Sequence, residues 1–135
     1  MLLKFLLVAA GGAIGAVCRY SISLLTVRMF GTSYPWGTLI ANAAGSFCMG
    51  LLIGIMLGVG LQRNLDSLYL FLGVGILGSC TTFSAFSGET LTLWLDGRQW
   101  AALGNVVGNV VVSLTACVIG FAIVQLTGGS EVANS

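Results

Sequence analysis

Apolar residues fall into four long runs separated by three short polar breaks. The runs cover approximately residues 2–25, 37–60, 68–95 and 100–126. Each reaches the length of about 20 residues that a helix needs to cross a bilayer. Arg28, Gly31, Thr32, Ser33 and Pro35 mark the first break. Gln62, Arg63, Asn64 and Asp66 mark the second, and Asp96, Gly97, Arg98 and Gln99 the third. Breaks this short force consecutive helices to run antiparallel. The pattern predicts an all-α integral membrane protein with one domain over residues 1–135, four transmembrane helices and no linker. The tail Thr127-Gly128-Gly129-Ser130-Glu131 reads as polar and frayed.

Composition agrees. Apolar residues make up 57% of the chain and charged residues 7%, against roughly 25% charged in soluble domains. A soluble fold of 135 residues could not hide that much apolar surface, whereas a bilayer can. Lys4 before an apolar run is like the start of a signal peptide. Three further runs follow, so the first is read as a retained span of a multi-pass protein in the bacterial inner (plasma) membrane.

Several chemistries drop out. Without histidine there is no imidazole metal ligand, general base or pH switch. Cys18, Cys48, Cys80 and Cys117 each lie in a different run with no C-x-x-C pair, and they read as small buried residues. A formal charge of +1 gives no signal for nucleic acid. Gly11 with Gly15, and Gly50 with Gly54 and Gly58, have the spacing that lets helices approach closely in lipid.

The loop charges are balanced. With four spans, Lys4 and Arg63 lie on one side and Arg28 and Arg98 on the other, with Arg19 near the end of its helix. Two basic residues against two, or two against three, give almost no orienting preference. This balance suits insertion in both orientations and assembly as an antiparallel dimer.

Polar groups inside a membrane are costly and point to function. The second helix carries Thr38, Asn42 and Ser46 at i, i+4, i+8, on one stripe. The fourth carries Asn105, Asn109 and Ser113 at the same spacing. Each stripe extends about 12 Å along its helix and could line a polar path or hold the bundle by interhelical hydrogen bonds. The third run, about 42 Å long as straight helix, exceeds a hydrocarbon core of about 30 Å. Its centre holds Gly78 and the hydroxyls of Ser79, Thr81, Thr82, Ser84 and Ser87. These favour a helix broken near the membrane midplane, where freed carbonyls and amides could serve an ion. Phe83 and Phe86 lie beside the hydroxyls, and their positive ring edges could help hold an anion. Glu89, past the centre of its helix, is the only acid within the spans. A cation or proton carrier would be expected to hold a central carboxylate, so the path leans towards an anion.

These residues closely resemble the Fluc (CrcB) family of fluoride channels. The resemblance runs through Gly11-Gly12-Ala13-Ile14-Gly15-Ala16-Val17-Cys18-Arg19-Tyr20, Gly37-Thr38-Leu39-Ile40-Ala41-Asn42 with Gly45-Ser46-Phe47, and Gly78-Ser79-Cys80-Thr81-Thr82-Phe83-Ser84-Ala85-Phe86-Ser87. It implies a dual-topology homodimer with two antiparallel pores that exports fluoride passively and protects the cell from it. It implies a central structural sodium ion held by the main-chain carbonyls of Gly78 and Thr81. It makes Asn42, Phe83 and Phe86 pore-lining residues, with Thr82 and Ser84 beside them and Thr38 and Ser46 on the same stripe. Asn105, Asn109 and Ser113 match the polar track of the fourth helix, and Arg19 matches a basic residue near the aqueous vestibule. Many members have Tyr and Ser where this chain has Asn105 and Asn109, and Thr where it has Ala85. Two alternative readings compete: a small multidrug-type proton-coupled transporter, and a non-transporting structural membrane subunit. The first needs a carboxylate in the first helix, which is absent here. The second does not require two polar stripes together with a broken third helix. With no histidine and one membrane acid, no nucleophile and base can be assembled into an enzyme site.

Overall fold

A computed structural model of the chain describes the backbone of residues 1–58 and 65–132, and side-chain surroundings over 1–57 and 66–127. Among the described residues, four helical segments are long and apolar enough to cross a membrane: Leu2–Phe30, Trp36–Leu57, Asp66–Leu95 and Gln99–Thr127. Helix α1 is Leu2–Phe30 and α2 is Trp36–Gly58. The third span comprises a turn at Leu65–Leu68, a π-helix at Tyr69–Leu77, an α-helical turn at Gly78–Cys80, and α3 at Phe83–Leu95. Thr81 and Thr82, between the last two, take extended dihedrals of φ −78°, ψ 155° and φ −156°, ψ 116°. Helix α4 is Gln99–Val132.

The ends of the helices follow from local chemistry. Gly31 at φ 75° stops α1, and its N–H closes on the Val27 carbonyl at 2.9 Å. Arg28 belongs to the last turn of α1 rather than to the break, so its cation faces the negative end of the helix dipole. Pro35 precedes α2, at a position where a missing N–H costs nothing. Gly97 at φ 75° ends α3: its N–H reaches Trp94 O at 3.1 Å, and that of Arg98 reaches Leu93 O at 2.9 Å. This pair satisfies two terminal carbonyls together. Phe30, Tyr34 and Trp36 stack in the first loop, with ring centroids 5.8 and 4.8 Å apart. Amphipathic aromatics such as Tyr34 and Trp36 settle at a membrane interface.

Glycine sets the packing. A side chain on Gly11 would run into the Phe71 carbonyl, and one on Gly15 into that of Ile76. A Cβ on Gly75 would stand 2.9 Å from the Gly11 Cα. Helix α1 thus lies backbone against backbone on the π-helical stretch. Helices α2 and α4 meet in the same way, since a side chain on Gly50 would strike Cys117 O and one on Gly120 would strike Phe47 O. Such faces replace the hydrophobic drive that lipid does not supply. The packing role expected for Gly11, Gly15, Gly50 and Gly54 is therefore seen in atomic contacts.

Two expectations change, and one feature is new. The π-helix had no sequence signal. In it the Gly78 N–H reaches back to the Gly73 and Gly75 carbonyls, and the buried Gly73 and Gly75 leave room for the wider turn. Helix α4 continues through Thr127-Gly128-Gly129-Ser130-Glu131 instead of fraying there. The Thr127 hydroxyl bonds back to Ile123 O and Val124 O, within its own helix. Cys80 is buried, but Cys18 and Cys48 are exposed on the single chain, because the outer faces of these helices face lipid or protein rather than a core. The surroundings of Gly58, and the second-break residues Gln62, Arg63 and Asn64, lie outside the described residues.

Candidate functional site

The second-helix stripe faces three different partners. Thr38 Oγ1 donates to Glu89 Oε1 at 2.6 Å. Asn42 turns to the third and fourth spans. Its Oδ1 accepts the Thr82 N–H at 2.7 Å, and its Nδ2 donates to Thr82 O at 3.3 Å and to Asn109 Oδ1 at 2.9 Å. The extended backbone of Thr82 makes this possible. An extended residue points its N–H and C=O the same way, and a side-chain amide pairs with both as a neighbouring strand would. Ser46 lies one turn further along. Gly45 lets α2 come this close, because a Cβ there would collide with the Thr81 methyl group.

On α4, Asn109 Nδ2 donates to Asn105 O at 3.1 Å and to Asn105 Oδ1 at 2.9 Å. Asn105 is completely buried, and its Nδ2 donates to Thr90 Oγ1 at 2.9 Å. The Ser113 Oγ is buried and has no hydrogen-bond partner among the described residues.

These groups border an open groove of about 520 Å³. Asn42, Ser46, Gly78, Thr81, Thr82, Phe83, Phe86, Asn109 and Ser113 lie on its wall, with Gly45, Met49, Leu77, Val110 and Leu114 as apolar lining. None of them is charged. The Phe83 and Phe86 rings stand 5.3 Å apart and tilted by 58°. Phe86 is 8% exposed, whereas Phe83 is 78% exposed on this single chain. Thr82 caps α3, its Oγ1 accepting the Ala85 N–H at 3.2 Å and lying 3.2 Å from Ser84 Oγ. Of the residues singled out in the sequence, Thr38, Ser84, Arg19 and Asn105 lie off this wall. Arg19 is half-buried, and its Nε has no partner among the described residues.

Two carbonyls at the groove are left outside the helical ladder. In a continuous α-helix the Thr82 N–H would close on Gly78 O, and the Ala85 N–H on Thr81 O. Here the first goes to Asn42 Oδ1 and the second to Thr82 Oγ1. Gly78 and Thr81 line the groove with main-chain oxygens whose usual helical donors bond elsewhere, and such oxygens are the hard ligands that an alkali or alkaline-earth cation takes.

Two contacts were not legible beforehand. Thr90 pairs with Asn105, although no periodic pattern links them. Glu89 pairs with Thr38, and its other oxygen is buried without a partner among the described residues. Its being the only acid within the four apolar runs of the sequence was the available signal. Nearby, burial and then the charge of Glu89 push the Tyr34 phenol above its ordinary pKa.

A family model described as "CrcB-like protein, Camphor Resistance (CrcB)" matches residues 6–121. The chain is 48% identical over 115 residues to the "Fluoride-specific ion channel FluC" of Shewanella amazonensis, covering 85% of this chain and 90% of the relative. It is 45% identical, with the same coverage, to the protein of that name from Shewanella halifaxensis. To the one from Shewanella sp. strain ANA-3 it is 44% identical over 117 residues, covering 87% and 92% of the two chains. With four apolar spans and a family match over most of its length, the chain belongs to the CrcB-like family and is a multi-pass protein of the bacterial inner membrane.

Proposed function

We propose that this chain is one subunit of a fluoride-selective channel through which fluoride leaves the cell down its gradient, giving resistance to fluoride toxicity. The observation that carries the reading is the uncharged groove, in which hydroxyls, amides and two phenylalanine rings gather inside an apolar bundle. Relatives at 44–48% identity bear the name of fluoride-specific ion channels. The chain has a conducting role, not a catalytic one.

The chemistry suits a small, strongly hydrated anion. Fluoride entering the groove exchanges water for O–H donors on Ser46, Thr82 and Ser113, with Ser84 beyond the wall and Thr38 holding Glu89 behind it. Replacing a hydration shell with fixed dipoles is the usual basis of pore selectivity. The buried Ser113 hydroxyl, which has no partner among the described residues, is a free donor for the ion. Phe83 and Phe86 offer positive ring edges without a formal charge that would trap the ion. Asn42 and Asn109 complete the polar wall, and Arg19 raises anion concentration at the vestibule. Proteoliposomes test this reading by their fluoride flux.

The working unit is an antiparallel homodimer, with the Thr81–Thr82 interruption at the membrane midplane. The open groove and a Phe83 ring that is 78% exposed support a second copy as its missing wall. The balanced loop charges support opposite insertion. A cysteine introduced at Arg98, in a chain whose four native cysteines are replaced, is expected to react with impermeant reagent from both sides of the membrane. Reaction from one side only would overturn the antiparallel arrangement. Gly78 and Thr81 would hold a sodium ion through main-chain oxygens, and that cation would supply fixed positive potential beside the anion path.

A further inference from the structure

Asn105 lies off the groove, yet it belongs to an unbroken hydrogen-bonded series that ends on it. The polarity of that series is fixed by its two ends. The Thr82 N–H can only donate, so the Asn42 atom facing it is Oδ1. Asn42 Nδ2 must then face Asn109 Oδ1, and Asn109 Nδ2 must face the two oxygens of Asn105. This leaves Asn105 Nδ2 to donate to Thr90 Oγ1, whose own proton goes to Phe86 O at 2.7 Å. Each amide has one allowed orientation, and turning any of them would set donor against donor or acceptor against acceptor.

The series crosses α2, α4 and α3 and returns to its start. It grips α3 at Thr82 through Asn42, and two turns later at Thr90 through Asn105. The segment between those grips carries Phe83 and Phe86. We infer that Asn105 and Asn109 are positioning residues: they touch no ion themselves, and act by orienting Asn42, which holds the Thr82 backbone extended and keeps the Gly78 carbonyl out of the helical ladder. This assignment rests on the channel reading for its effect on flux, but not for its effect on structure. It separates Asn105 and Asn109 from the hydroxyls of the groove, since Asn109 Nδ2 already donates to two oxygens of Asn105 within the subunit.

The test is the hydrogen exchange of the Thr82 N–H, followed by NMR on the detergent-solubilised protein, together with fluoride flux in liposomes. Asn105→Leu is expected to speed Thr82 exchange about tenfold and to slow flux about tenfold, as loss of one buried hydrogen-bonding partner would. Amides of α1 should keep their wild-type rates, which separates release of one backbone group from general loosening. Thr90→Val, which removes one hydroxyl and keeps the side chain's shape, should move both readouts the same way. It stands in if Asn105→Leu does not fold. Unchanged Thr82 exchange in the folded variant, whatever its flux, would overturn the assignment. So would raised exchange with undiminished flux in a chain whose wild type conducts. A wild type that passes no fluoride would instead defeat the channel reading, and the exchange rates would still decide whether the series holds Thr82.

Discussion

Asn42→Ala is expected to lower fluoride flux about a hundredfold while the protein still assembles in the membrane. The amide of Asn42 makes three hydrogen bonds, two to Thr82 and one to Asn109. Alanine leaves the Thr82 N–H and Asn109 Oδ1 without partners in an environment with little water. Each such orphan costs about 1–3 kcal/mol, and about 1.4 kcal/mol is a factor of ten in a population. The Thr82 N–H would regain a partner by closing on Gly78 O, which makes the backbone helical and withdraws that carbonyl from the groove. The contacts that seat the helices, Gly11 on Phe71 and Gly50 on Cys117, lie elsewhere, so size-exclusion behaviour should not change. Wild-type flux in Asn42→Ala would remove this residue from the path.

Stripping sodium gives the second large effect. If the protein is purified with N-methylglucamine in place of sodium, flux is expected to fall to the background of empty vesicles, and to return when sodium is restored. The reason lies in Gly78 and Thr81, whose usual helical donors are taken by Asn42 and Thr82 side chains. A main-chain oxygen in an apolar bundle is tolerated only if something replaces the lost donor. A small hard cation does so for several oxygens at once, whereas a bulky organic cation does not. Flux that persists after exhaustive exchange would leave these carbonyls without an ion to hold.

The spans were legible because the bilayer fixes their length and solvates their outer faces, so apolar runs alone mark them. The Gly11–Gly15 and Gly50–Gly54 faces were legible for a similar reason: close approach in lipid needs small residues at helical spacing. The two polar stripes were legible as stripes, but their partners were not. Spacing of i, i+4 puts Thr38, Asn42 and Ser46 on one line and does not say that one meets Glu89 while the next meets Thr82 and Asn109. Such partners depend on helix rotation, which is set by backbone contacts tens of residues away. The π-helix at Tyr69–Leu77 was hidden because a wide turn changes the hydrogen-bond ladder without changing residue type. Asn105 could not be told from a path residue, since an asparagine that saturates itself within the subunit and one that faces an ion have the same place in the pattern.

The most direct measurement is paired efflux of fluoride and chloride from liposomes carrying the purified protein, each followed with an ion-selective electrode. A groove lined by O–H donors and ring edges, with no fixed basic side chain on its wall, should pass fluoride at least about a hundredfold faster than the larger chloride ion. Equal rates for the two anions, or fluoride efflux no faster than from empty vesicles, would contradict a fluoride-selective channel.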